Sequence, residues 1–302
     1  MEYELIIVRY SEIALKGKET RKRFENTLLT NIKNAMESKN LKFKIKKEWG
    51  RIYIYTDQIS KCISFLQKIF GIKSISPALQ TESKIDLVSK LALSISKELL
   101  NKKKTFAIRA TRTGEHDFSS QDIAIKIGAA VVKATKAKVN LNNPDVELFI
   151  EVRNKKAFIF TRKIYCVGGL PFGSQGNVLA LIDDPASILA SWYLIRRGCK
   201  TIFINRKKSN EKILDSFIDD WFVKSEIFTI NSINTYNKIN KIVIEKNCNA
   251  IVTGHTLDRY PLKTLRKIKQ LKKFFNKPIL HPLIALNENE INKKCNEIGI
   301  QV

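Results

Sequence analysis

Four short apolar runs, NVLALI (177–182), TIFIN (201–205), NAIVTG (249–254) and PILHPL (278–283), constrain the C-terminal half of this chain more than any other feature. None shows strict alternation with polar residues, so a strand made from one has no face to give to water and must be covered on both sides. Between the first two lies the helical pattern ILASWYLIRRG (188–198), and strand, helix, strand in that order is a βαβ opening. From Val178 onward the expected architecture is a mostly parallel, doubly wound α/β sheet. The first strand end reads Ile182-Asp183-Asp184-Pro185-Ala186-Ser187. A phosphate-binding loop at such a place uses glycines, so that backbone N–H groups can approach the phosphate at a helix N-terminus. Here two carboxylates would repel phosphate, and Pro185 has no N–H to offer. Adjacent carboxylates at a helix start, followed by proline in the first turn, read as N-capping residues.

Upstream, ELIIVRY (4–10) is followed by a helical stretch with Phe24, Leu28, Ile32 and Ala35 on one face, the strand RIYIYT (51–56), and a helix with Ile63, Leu66, Ile69 and Phe70. This β-α-β-α order closes near GIKSISPA (71–78). A second segment opens with the helix KIDLVSKLALSISKELL (84–100) and continues through FAIRAT (106–111) into SSQDIAIKIGAAVVKAT (119–135), N-capped at Ser119 or Ser120. The strands VELFIEVRN (146–154) and AFIFTRK (157–163) then close a hairpin, and the glycine cluster VGGLPFGSQGN (167–177) reads as a linker.

The chain has 302 residues, enough for two or three domains, and its 54 Lys+Arg against 29 Asp+Glu give a formal net charge of +25. A surplus of that size calls for a polyanion, and nucleic acid is the expected one. No apolar run is long enough to cross a membrane, and the N-terminus MEYELIIVRYSE carries acids where a signal peptide carries bases, so the default location is cytoplasmic. Cys62, Cys166, Cys199, Cys248 and Cys295 form no CxxC pair, and His116, His255 and His281 stand at no metal-ligand spacing. Neither a disulfide framework nor a metal site is expected.

The block RYSEIALKGKETRKRFE (9–25) resembles the N-terminal ferredoxin-like domain of the tRNA 4-thiouridine synthetase family, the thiamine-biosynthesis-type tRNA sulfurtransferases. FAIRATRTGEHDFSSQDIAIKIGAAVV (106–132) and VNLNNPDVELFIEV (139–152) resemble a THUMP domain. GGLPFGSQGNVLALI (168–182), VTGHTLDRYPLKTL (252–265) and PILHPLIALNENEI (278–291) resemble landmarks of the family's PP-loop ATP pyrophosphatase domain. The resemblance implies a ferredoxin-like domain over 1–75, a THUMP domain over 76–166, a linker over 167–176 and a PP-loop-like domain over 177–302. It implies tRNA, met at its acceptor end, as partner, and ATP with magnesium as cofactor. Family members adenylate the C4 oxygen of a tRNA uridine, and a cysteine-borne persulfide then displaces AMP.

Three departures stand against that chemistry. The family's SGGxDS loop is replaced: one alignment sets Asp183 and Asp184 at the two glycines, Ala186 at the Asp and Ser187 at the Ser, and another sets Asp183-Asp184-Pro185 against Asp-Ser-Pro with the glycines deleted. Lys263 falls where the family has a nucleotide-contacting Gln. The sequence reaches Val302 before the region of the persulfide cysteine, and Cys295 reads as a packing residue. The remnant nucleotide site implied by resemblance is Leu181, Ile182, Gly254 and Lys263, with no residue assigned to catalysis. His255 follows the TG at a strand end that lines the crevice, whereas His116 and His281 read as local hydrogen-bonding residues. For RNA contact the residues are Arg9, Lys16, Lys18, Arg21, Lys22, Arg23, Arg109 and Arg112. The competing reading is a solvated helix face for the first cluster, and ion pairs to Glu115 or Asp117 for Arg109 and Arg112. Three functions follow: a tRNA-binding protein that has lost adenylation, a divergent active sulfurtransferase, or a subunit presenting tRNA to a separate catalytic chain. A homodimer is compatible with each.

Overall fold

The structure is a computed structural model that describes residues 2–10, 12–230 and 235–301. Ser11 of the first family block, and part of the C-terminal domain, lie outside the described residues. In chain order the first part runs β1 (Leu5–Arg9), α1 (Lys18–Ser38), β2 (Lys44–Glu48), β3 (Arg51–Tyr55), α2 (Ile59–Leu66), β4 (Ser74–Glu82), α3 (Ile85–Leu99), β5 (Thr105–Thr113), α4 (Ser120–Thr135), β6 (Lys138–Val139), β7 (Val146–Arg153), β8 (Lys156–Phe160) and β9 (Ile164–Tyr165). It continues with β10 (Asn177–Ile182), α5 (Pro185–Arg196), β11 (Lys200–Asn205), α6 (Glu211–Asp220), β12 (Ile227–Thr229), α7 (Thr235–Glu245), β13 (Cys248–Val252), α8 (Pro261–Phe274), β14 (Ile279–Leu280) and α9 (Glu288–Glu297).

One compact unit comprises Met1–Arg9, Asn40–Gln67 and Ser74–Tyr165. Its strands form one sheet in the order β2-β3-β1-β4-β8-β7-β5-β6, with β9 beside β4. Strand β4 joins the two halves: Ser74 to Ala78 pair with β1, and Leu79 to Glu82 pair with β8. The expected hairpin is present as antiparallel β7 and β8, while β5 and β7 run parallel and need a crossover. That crossover contains α4, N-capped by Ser119, which accepts from the Asp122 N–H while Asp122 accepts from the Ser119 N–H. Ile123, Ile127 and Val131, one turn apart, bury against Phe106, Leu148, Ile150 and Ile159, with Val88, Ala92 and Ile95 of α3 beside them. Strand β2, KIKKE, is a further strand; as an edge strand its lysines face water and block pairing with another chain.

The same unit buries an ion cluster. Glu151, 6% exposed, takes the Arg51 Nε at 2.7 Å, the Arg9 Nη2 at 3.2 Å and the Arg153 Nη1 at 3.4 Å. Arg9 also donates to Ser76 Oγ at 2.9 Å, and Arg153 to the Trp49 carbonyl at 2.6 Å. Burial pushes the Arg9 guanidinium below its ordinary value, opposed by Glu151. Burial alone would raise the Glu151 carboxyl, but Arg51 and Arg9 hold it below the usual value.

The other unit comprises Tyr10–Lys39, Lys68–Lys73 and Cys166–Val302. Its sheet is parallel throughout, in the order β12-β11-β10-β13-β14. Successive side chains of β10 go to opposite faces. Val178, Ala180 and Ile182 pack with Ile188, Leu214, Phe217 and Ile291 from α5, α6 and α9. Leu179 and Leu181 pack with Ile239, Val243 and Leu271 from α7 and α8. This two-sided cover is why NVLALI carries no polar alternation, and each fully buried aliphatic side chain contributes roughly 1.5–3 kcal/mol. The contacts do not follow contiguous boundaries, because α1 groups with this unit: Phe24, Leu28, Ile32 and Ala35 are buried, and Asn31 donates to the Phe172 carbonyl at 3.0 Å. In the glycine cluster, a Cβ on Gly169 would lie 2.2 Å from the Arg196 carbonyl oxygen, so this close approach admits only glycine.

Replacing Glu151 with Gln strands the buried guanidinium groups of Arg9 and Arg153 and is expected to destabilise the first unit by about 3–5 kcal/mol in urea denaturation. Because the folded carboxyl lies below its unfolded value, its contribution is present above the unfolded pKa and is lost as pH falls through the folded one. The wild type is therefore expected to lose stability in acid, and Glu151→Gln to show a shallower acid dependence.

Candidate functional site

In the second sheet β10 leads through α5 to β11 on one side, while β13 lies on its other side. The chain reverses direction across the sheet there, and the carboxyl ends of the strands open onto a crevice. A cavity of about 420 Å³ lies at this point. Asp183, Asp184 and Ser187 follow β10, Arg206 and Lys207 follow β11, and Thr253, Gly254 and His255 follow β13. Tyr236 from α7 and Lys267, Gln270 and Leu271 from α8 complete the wall, above Leu181.

The α5 N-terminus borders this cavity with its Ser187 N–H already committed. Asp184 is the N-cap and Pro185 holds the first helical position, as the sequence predicts. One Asp184 carboxylate oxygen accepts from the Ser187 N–H at 2.9 Å and from its hydroxyl at 2.8 Å. The Asp183 N–H turns back to Ser187 Oγ at 3.4 Å, and its carboxylate pairs with Arg206 at 3.3 Å. A Cβ on Gly254 would come within 2.8 Å of the Ser187 backbone, so the segment that follows β13 presses directly on the first turn of α5. No glycine stands in the turn itself, and the place where a phosphate oxygen would meet the helix is held by the chain's own carboxylate.

Beside it the buried Thr253 hydroxyl links two imidazoles, with His255 Nδ1 at 2.9 Å and His281 Nδ1 at 2.6 Å. One hydroxyl donates once, so one ring accepts from Thr253 while the other donates to it. Burial pulls both imidazoles below their ordinary value; Asp183 pulls His255 the other way, and His255 adds to the effect on His281. Cys295 is fully buried, and burial followed by the Asp184 charge pushes its thiol up to about 11. It is a packing residue, as the sequence predicts, and no thiolate nucleophile at neutral pH.

Of the residues expected at the nucleotide site, Leu181 and Gly254 line the cavity. Ile182 does not: strand alternation sends it into the core on the opposite face. Lys263 is also placed elsewhere, its ammonium 5.7 Å from the Tyr260 ring centroid in the first turn of α8. Lys267 and Gln270, one and two turns further along the same stripe, reach the cavity instead. Arg206, Lys207 and Tyr236 were not anticipated. The signal for the first two was present, since Arg206 directly follows a parallel strand whose carboxyl end faces the crevice.

The expected RNA-contacting residues separate by unit. Arg9 is corrected: it is 7% exposed and committed to Glu151, so it serves the core's charge balance. In the same unit Arg109 pairs with Glu147 at 2.8 Å, and Arg112 donates to the Gly114 carbonyl at 3.0 Å; neither uses Glu115 or Asp117. Arg109, Arg51 and Lys163 border a cavity of about 580 Å³ with the stacked rings of Phe149 and Phe160, centroids 5.1 Å apart. In the other unit Lys16, Lys18, Lys22 and Arg23 are exposed and Arg21 is half-buried around the start of α1. Cations there oppose the helix dipole, a cost that a bound polyanion would offset.

Comparison with known proteins decides the family. Residues 5–76 match the ThiI ferredoxin-like domain, residues 82–162 the THUMP domain, and residues 223–301 the thiamine biosynthesis protein (ThiI) model. A probable tRNA sulfurtransferase of Methanothermobacter thermautotrophicus is 32% identical over 99% of this chain and 85% of its own length. The chain belongs to the tRNA sulfurtransferase family. A tRNA sulfurtransferase of Pyrobaculum aerophilum is also 32% identical, over 98% of this chain and 67% of its own length. A 4-thiouridine synthetase solved with RNA and bound ATP superposes with a TM-score of 0.83 at 29% identity, over 99% of this chain and 86% of that one. PH1313 from Pyrococcus horikoshii superposes with a TM-score of 0.85 at 29% identity, over 98% of this chain and 99% of that one. No helix among the described residues is long and apolar enough to cross a membrane.

Because Asp184 is the N-cap of α5, Asp184→Asn is expected to preserve stability and Asp184→Ala to lose about 1 kcal/mol in urea denaturation. Gly254→Ala, which forces a methyl group against the Ser187 backbone, is expected to cost about 1–3 kcal/mol in the same measurement.

Proposed function

We propose that this chain is a tRNA-binding member of the sulfurtransferase family whose crevice does not adenylate RNA. The observation that carries the proposal is the Asp184 carboxylate on the Ser187 N–H and hydroxyl, in the position from which a helix N-terminus would hold phosphate. A triphosphate would have to displace this cap. It would then meet a carboxylate whose repulsion at about 6 Å is roughly 3 kcal/mol at an effective dielectric of 20. Asp183 contributes less repulsion, because Arg206 neutralises it. The residues present therefore do not fit the ATP that the family uses.

The net charge of +25, the exposed cations around the start of α1 and the THUMP match support tRNA as the ligand. The solved relative in complex with RNA supports the same reading. Phosphate contacts of this kind give affinity that falls with salt. A tRNA lacking its single-stranded 3′ end is expected to bind more weakly than the intact molecule.

Pure protein incubated with ATP-Mg, a sulfur donor and unmodified tRNA is expected to release no AMP or pyrophosphate above background and to leave no 4-thiouridine detectable by mass spectrometry. Thiolation that Asp183→Asn abolishes would contradict the proposal and favour a divergent active sulfurtransferase. Tight tRNA binding without thiolation supports it. Recovery of a second, catalytic chain in the same preparation would then identify this protein as a tRNA-presenting subunit.

A further inference from the structure

Helix α8 carries Lys263, Arg266, Lys267, Lys269, Lys272 and Lys273 and no acidic residue. Side chains three or four apart on a helix are neighbours, and like charges at those spacings destabilise it. The pairs 263/266, 263/267, 266/269, 269/272 and 269/273 all stand at such spacings. Lys263 also sits in the first turn, where the helix dipole disfavours cations. Within the helix only Leu271 is buried. Among the described residues no carboxylate pairs with these six cations. Among the described residues this face is thus a stripe of like charge that forms no ion pair with a carboxylate.

At the head of the stripe Tyr260 is 67% exposed, with the Lys263 ammonium 5.7 Å from its ring centroid. Leu262 and Leu265 are also exposed beside it. A cationic track ending in an open aromatic face suits a nucleic acid strand whose bases are unstacked, since bases within a duplex cannot reach such a ring. Lys267 and Gln270 continue the helix into the crevice wall, so this face and the cavity are contiguous. We propose that α8 is a binding face for a single-stranded segment of RNA, with phosphates along Arg266, Lys269, Lys272 and Lys273 and one base stacked on Tyr260. The inference rests on the tRNA-binding reading and adds to it a surface in the C-terminal unit. It requires no nucleotide in the crevice.

The test titrates the full chain with tRNA by fluorescence anisotropy across a salt series. Replacing Arg266, Lys269, Lys272 and Lys273 together with Gln is expected to flatten the log–log salt slope by roughly two to three units, at about 0.7 per single-strand phosphate contact. The thermal midpoint of that variant is expected not to fall, because like-charge repulsion is removed. Tyr260→Ala is expected to weaken binding roughly 5- to 100-fold, and Tyr260→Phe to bind like the wild type. Hydrogen exchange in α8 is expected to slow on adding tRNA. If the wild type binds while both variants keep its slope and affinity, the α8 face is wrong and the tRNA-binding reading survives. If the wild type binds no tRNA, both fall. Protection of α8 that rises with protein concentration in the absence of RNA would mark a protein interface and overturn the proposal.

Discussion

Strand β10 is covered on both faces, and most of the C-terminal unit depends on that constraint. With Val178, Ala180 and Ile182 on one side and Leu179 and Leu181 on the other all buried, no polar side chain within Val178–Ile182 can face a ligand. Chemistry is confined to the turn that follows, where backbone and side chains first meet solvent. What occupies that turn decides what the crevice can do. Here it is a carboxylate that caps α5, pinned by Gly254 pressing on Ser187. The same two-sided burial gives the sheet around the altered loop a core of apolar contacts on both faces.

The N-terminal unit answers to a different constraint. Strand β4 pairs with β1 over one half and β8 over the other, so a single sheet carries both the ferredoxin-like and the THUMP elements. Where these meet, Glu151 is balanced against Arg9, Arg51 and Arg153. Buried ion clusters add little net stability but are costly to break. The cluster links side chains of β1, β3 and β7, and Arg109, Arg112 and Lys163 remain at or near the surface.

Much of this was legible in the sequence because the determining contacts are local. Asp184 followed by Pro185, and Ser119 followed three residues later by Asp122, are capping patterns within a single turn. The apolar runs announce buried strands by composition alone. What was not legible depends on distant partners. Arg9 sits in a basic family block, and only the pairing with Glu151, 142 residues away, shows that it is buried. Lys263 and Lys267 share a helical stripe, and which of them reaches the cavity is set by where α8 crosses the strand ends. Thr253 and His281 meet across 28 residues through the adjacency of β13 and β14. Strand β2 was missed because KIKKE has the composition of a solvated segment, which an edge strand tolerates.

The central claim is that the protein's own carboxylate closes the phosphate-binding end of α5. A crystal structure of the full chain grown with excess ATP-Mg tests it most directly. The expected result is Asp184 still bonded to the Ser187 N–H, with no triphosphate at the start of α5. A triphosphate seated on the first-turn amides, with Asp184 swung away or bound to magnesium, would contradict the account.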